Sequence, residues 1–348
     1  MTATALEDIP AAKGPLSAIL IRIAALGIVA AMFAFLINNY LTLWQDWPGI
    51  SGLFSHLGWF GAGTSGKPLE GGGVTLGWIQ LLLYVVLVGL VAVYTFSTGR
   101  QPLRVDSARL SAMAAFIIRA AFWSVLLIGL VDAVISFLRV EGFLASFVGQ
   151  KLETDLGLSE IRGTYVHLPL IAVSVIIAAF TRSLGFTWLA LLVVVAELQI
   201  VIARFIFSYE QAFMGDLVRF WYAALFLFAS AYTLTEEGHV RVDVIYTGFS
   251  ERGKAWANTI GCLFLGIPLC WVILSMGMAG KATVINSPLL SFETSQSGFG
   301  LYVKYLMAGF LAVFAVSMMI QFASYFLSAV ADLRNEPGKA PPPEHPAP

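Results

Sequence analysis

The chain has 348 residues, of which 58% are hydrophobic and 12% charged, and its mean hydropathy is +0.82. An ordinary soluble domain carries about 25% charged residues, so this chain cannot clothe a water-facing surface of its size, and a soluble globule is excluded. A formal net charge of -1 with no basic block argues against nucleic acid as a partner.

A bilayer core about 30 Å thick needs roughly 20 apolar residues in a helix that rises about 1.5 Å per residue. Eight runs of that kind occur, at 16–41, 74–96, 108–138, 165–180, 186–207, 217–234, 257–278 and 301–330. They predict an all-α polytopic membrane protein with an even number of spans. The first run is too long for a signal-peptide core and lacks a small-residue cleavage site, so it is expected to be retained. Between the first two runs, Trp44, Trp47, Phe54, Trp59 and Phe60 lie among glycines, a composition that suits the headgroup region; a surface for a soluble partner is the alternative. The third run holds Arg119 and Asp132, and a mixed-charge, helix-tolerant loop follows at 140–163. Only residues 181–185 separate the fourth and fifth runs, enough to join two antiparallel helices.

After the sixth run comes Thr235-Glu236-Glu237-Gly238-His239-Val240-Arg241-Val242-Asp243-Val244. The alternation sets His239, Arg241 and Asp243 on one side and three valines on the other, a pattern that can lie on a membrane surface. Residues 245–258 continue as an amphipathic stretch in which Ser250 caps the next helix; an ordinary charged loop is the plainer alternative. The seventh run contains Gly266-Ile267-Pro268 and the two cysteines, Cys262 and Cys270, expected to be reduced packing residues. The proline-rich tail, 334–348, is expected to be disordered.

An even count puts both termini on one side. With that side cytoplasmic, the inner loops hold Lys13, Arg100, Arg104, Arg109, Arg182, Arg241, Arg252, Lys254, Arg334 and Lys339. The outer side holds Lys67, Arg139, Lys151, Arg162 and Lys281 in longer loops, with Arg204, Arg219 and Lys304 near helix ends, so a modest positive-inside bias favours cytoplasmic termini.

Ionisable groups within spans are costly and are the first functional suspects. Counted from the expected helix starts, Arg119 and Glu197 lie about 16 and 18 Å deep, which predicts an intramembrane ion pair joining the two halves of the chain. The same count places Asp132 about 36 Å along its helix, near the outer interface and in no need of a buried partner. The four histidines, His56, His167, His239 and His345, include no pair at ligand spacing in a span, which argues against a haem anchor. No phosphate loop, Ser-His-Asp set or Cys-His set can be assembled, so no enzyme and no cofactor are expected. The one Gly-Pro interruption has no counterpart in the other half, which weighs against an autonomous transporter. Leu103-Arg104-Val105-Asp106 and Val240-Arg241-Val242-Asp243 are a faint internal echo.

The stretch from Phe186 to Leu327 resembles the small permease (DctQ-like) subunit of tripartite ATP-independent periplasmic (TRAP) transporters. The resemblance rests on Ala203-Arg204-Phe205, Ser208, Asp216, Arg219-Phe220-Trp221, Ala231-Tyr232-Thr233-Leu234, Gly238-His239-Val240-Arg241-Val242-Asp243, Lys254-Ala255-Trp256, Pro268, Ser291-Phe292-Glu293-Thr294-Ser295 and Lys304, in that order. It divides the chain into a membrane extension of about four helices (1–184), a small-permease domain (185–333) and the tail (334–348). It implies a non-catalytic scaffold in the bacterial inner membrane, partnered by a large permease that holds the sodium sites and by a periplasmic binding protein that delivers an organic acid anion. Glu236, Glu237, His239, Arg241 and Asp243 would then organise the cytoplasmic edge, against the large subunit or phospholipid headgroups. Asp216, Arg219, Glu293 and Lys304 would pair with one another or face the binding protein. An autonomous transporter or channel, and a membrane anchor for a redox enzyme, remain the alternatives.

Overall fold

The computed structural model of the protein describes residues 16–59, 69–182, 186–210, 212–235, 246–295 and 300–338. The described residues contain helices and connecting turns and no strand. In chain order the helices are α1 (Leu16–Trp44), α2 (Gly49–Leu57), α3 (Gly71–Ser97), α4 (Leu103–Val140), α5 (Leu144–Val148), α6 (Gln150–Leu156) and α7 (Ser159–Phe180). They continue with α8 (Phe186–Phe207), α9 (Ala212–Thr235), α10 (Glu251–Gly277), α11 (Asn286–Ser291) and α12 (Lys304–Leu333). Eight of these, α1, α3, α4, α7, α8, α9, α10 and α12, are long and apolar enough to cross a bilayer, and the protein is a multi-pass α-helical membrane protein.

Several boundaries depart from the expected runs. The third span is a 38-residue helix that begins directly after Pro102, with Asp106 in its first turn, where an acid meets the positive helix end. The loop at 140–163 is folded into α5, α6 and the first turn of α7. The amphipathic stretch before the seventh span is, from Glu251 on, the first turns of α10 itself. Its cap is the predicted one, with Gly253 N–H donating to Ser250 Oγ at 3.2 Å.

Two spans contain a π-helical turn, Gly163–His167 in α7 and Cys262–Gly266 in α10. Each is followed by one residue and then a proline, Leu168-Pro169 and Ile267-Pro268. A proline inside a helix clashes with the carbonyl four residues back. Here the residue before it bonds five back, Leu168 N–H to Gly163 O and Ile267 N–H to Cys262 O, so the helix continues as a bulge. Gly266-Ile267-Pro268 is therefore part of a continuous helix and not an interruption.

The chain folds into two compact units, each drawing on both halves of the sequence. One unit comprises residues 1–111, 241–269 and 319–348; the other comprises 112–240 and 270–318. In the first, α1 packs on α3, and the short α2 folds back onto α3 with Leu53 buried over Gly77. Gln80 of α3 holds α2 in place, accepting from Gly49 N–H (2.9 Å) and donating to Thr42 Oγ1 (3.1 Å). The start of α4 and the end of α12 meet through small polar residues. Ser107 Oγ donates to Ser324 O (2.9 Å), Ser324 Oγ to Ser107 O (2.7 Å) and Gln321 Nε2 to Ser111 Oγ (3.0 Å).

In the second unit the core is aromatic. Phe228 meets Phe122 and Phe310 edge-on at 5.7 and 4.9 Å between ring centroids, and Phe220 lies 5.2 Å from Phe310. Trp221 Nε1–H reaches into α4 to donate to Val125 O (3.2 Å). That approach requires glycine at 129, since a Cβ there would stand 2.5 Å from the indole nitrogen.

Candidate functional site

The features that set this molecule apart from a plain apolar bundle are its buried charges. In the first unit Arg22, in α1, is completely buried. Its Nε–H donates to Asp106 of α4, and its terminal nitrogens donate to Thr98 O (2.6 Å) and Thr98 Oγ1 (2.7 Å) at the end of α3. The other Asp106 oxygen accepts from Tyr94 OH (3.0 Å) and Gln101 Nε2 (2.9 Å). One ion pair thus ties α1 and α4 together and stops the exposed carbonyl at the α3 terminus. Nearby, Arg104 pairs with Asp332 (2.6 Å) and donates to the carbonyls of Glu336 and Pro337, while Leu103 N–H donates to Glu336. Residues 334–338 are therefore docked, which corrects the expectation of disorder for the start of the tail; 339–348 lie outside the described residues.

In the second unit Asp132 is fully buried and sits at the centre of a network, contrary to the expectation that it needs no buried partner. Its Oδ1 lies 3.0 Å from Arg162 and 3.2 Å from His167 Nε2, and its Oδ2 accepts from Tyr302 N–H (2.8 Å). Arg162 also donates to Leu156 O (2.9 Å) and Ser136 Oγ (3.2 Å), and its guanidinium lies 4.0 Å from the Tyr302 ring centroid. His167 Nδ1 is 2.8 Å from Tyr305 OH. The placement depends on the π turn: Gly163 opens it, and the Phe292 ring fills the space where a Cβ would stand 2.2 Å from Phe292 Cδ1. Phe292 itself has φ 47°, a left-handed conformation uncommon for a bulky residue, which ends α11 and directs the ring against Tyr305. The network fastens α4, α7 and the entry to α12.

Beside it lie the shallower charges singled out in the sequence. Asp216 pairs with Arg219 at 3.4 Å and accepts from Ser295 Oγ and Leu301 N–H, both at 3.1 Å. Glu293 pairs with Lys304. Glu236, Glu237, His239, Arg241 and Asp243 lie outside the described residues.

Arg119 and Glu197 do not meet. Trp123, one turn beyond Arg119 on α4, donates to Thr181 Oγ1 (3.1 Å) just past α7, so Arg119 is level with the α7–α8 connection. At the other end Tyr209 OH bonds Glu141 (2.8 Å), and counting back along both helices sets Glu197 at the level of Gly129, about 15 Å along the axis from Arg119. The depth estimate for Arg119 failed because α4 extends well before the level at which α8 begins. Glu197 is exposed on α8 and makes no hydrogen bond or ion pair among the described residues; Arg119 Nε is buried without a hydrogen bond. An acidic group at mid-span costs about 2.5–3.5 kcal/mol on insertion scales when nothing pairs it.

Sequence reasoning passed over Arg22 and Arg162. Arg22 was hidden in a run that reads as almost uncharged, and Arg162 counted as a loop charge because α7 begins earlier than its hydropathy indicates. The available signal was Arg22 as the sole charged residue of the first apolar run; Arg162, outside every run, carried none. Among the described residues no three His, Cys, Asp or Glu side chains converge so as to hold a metal ion.

The site and fold together define a polytopic helical membrane protein in which the buried charges Arg22, Asp106, Arg162 and Asp132 are consumed in fixing its own helices, while Glu197 is left unpaired among the described residues. Residues 190–332, about two fifths of the chain, match the family described as tripartite ATP-independent periplasmic transporters, DctQ component, and additional apolar helices precede the matched segment. No curated protein and no solved structure matches the chain.

Proposed function

We propose that this chain is the stationary, non-catalytic small subunit of a sodium-coupled TRAP system in the bacterial inner membrane. It works with a large permease, which holds sodium and moves the cargo, and with a periplasmic binding protein, which supplies an organic acid anion. The observation that carries the reading is that Arg22 with Asp106, and Arg162 with Asp132, neutralise each other inside the chain. A transport site keeps some polar groups free for cargo or ion, whereas groups spent on one another hold helices still. A moving transport domain needs such a fixed wall.

In this role Glu236, Glu237, His239, Arg241 and Asp243 form the cytoplasmic edge against the permease and phospholipid headgroups. The Asp216–Arg219 and Glu293–Lys304 pairs shape the opposite loops, toward which the binding protein docks. Both termini are cytoplasmic, in accord with the positive-inside bias.

The test is co-purification of the tagged chain with its co-expressed large permease, together with uptake in cells. Arg241→Ala combined with Asp243→Ala is expected to weaken recovery of the permease or lower uptake. Wild-type recovery and wild-type uptake together would remove that assignment.

A further inference from the structure

One face of α8 is left uncovered by the described residues. Val194, Glu197, Leu198, Val201 and Phe205 fall at spacings of three and four and so share one stripe, and all five are exposed, Phe205 to 77%. The opposite side, with Leu189, Ala196 and Ala203, is buried. Glu197 lies midway along a 22-residue helix and makes no hydrogen bond or ion pair among the described residues. A carboxyl group half-way through a span, turned away from its own protein, is expensive in lipid and calls for a donor from outside.

We propose that this stripe is the docking face for a transmembrane helix of the large permease, which presents a hydrogen-bond donor to Glu197. The apolar members supply packing on both sides of the carboxylate, and the donor fixes depth and rotation, as a single buried polar residue fixes register in a coiled coil. The inference rests on the proposed subunit role and adds to it a particular helix, face and contact.

A photo-activatable cross-linking amino acid placed at Val194, Val201 or Phe205 in the co-expressed complex tests it. Val85 and Val93 on α3, exposed to 61% and 63%, serve as reference positions. Cross-links to the large permease from the α8 positions well above those from α3, reduced about three- to tenfold by Glu197→Leu and largely retained with Glu197→Gln, are expected. Co-purification of the permease without α8 cross-links to it would overturn this contact while leaving the subunit role intact. Cross-links to a second copy of the chain, yields from α3 equal to those from α8, or no loss with Glu197→Leu would overturn it as well. Failure of the permease to co-purify at all would overturn both.

Discussion

Arg22 and Asp106 illustrate how a buried ion pair acts at the scale of single residues. Both side chains are removed from solvent, so their mutual attraction mainly offsets the cost of taking them there, and the pair contributes more to which helices meet than to net stability. Truncating one partner is a different matter, because the other is then left charged and dry. Arg22→Leu is expected to destabilise the protein by about 3–5 kcal/mol, with Arg22→Leu plus Asp106→Leu recovering most of it, read from thermal unfolding in detergent. Equal melting temperatures for wild type and the single variant would show that the pair is not buried as described. Gly163 gives a second case: Gly163→Ala drives a methyl group into the Phe292 ring and is expected to cost about 1–3 kcal/mol, relieved in part by Phe292→Ala. An unchanged melting temperature for Gly163→Ala would argue against that contact. At this scale the sequence was only half legible. Asp132 stood out as an acid in a span, yet its partners Arg162, His167 and Tyr302 come from segments 30 to 170 residues away, and hydropathy says nothing about such distances.

At the scale of helices, existence was far easier to read than extent. Every predicted apolar run corresponds to a spanning helix, because a continuous apolar stretch in a bilayer satisfies its backbone only by coiling. The ends were misjudged where polar residues continue the helix: Leu103 to Ser107 at the start of α4, Ser159 to Arg162 in α7, and Glu251 to Trp256 in α10. The two π turns were likewise invisible as such, although each announces itself by a proline two residues on. The serine contact between α4 and α12 leads to a further prediction. Ser107→Leu, which forces bulk where Ser324 lies, is expected to cost about 1–3 kcal/mol, whereas Ser107→Ala costs about 0.6 kcal/mol, the average for a hydrogen bond between membrane helices. A leucine variant as stable as the alanine one would mean that the two helices do not approach closely at this point.

For the molecule as a whole, composition alone placed the chain in lipid, and the ordered motifs between Ala203 and Lys304 pointed to the family that residues 190–332 match. What composition could not disclose is how the charges within the spans are used. In the described residues the buried charges Arg22, Asp106, Arg162 and Asp132 are paired within their own compact units, whereas Glu197 and Arg119 are not, and the paired charges are the physical basis for the proposed role of a subunit that holds still while another moves. The most direct measurement is solute flux into proteoliposomes under an inward sodium gradient, comparing the purified chain alone with the chain plus its permease and ligand-loaded binding protein. Accumulation only in the complete system is the predicted result; sodium-driven accumulation by this chain alone would contradict the account.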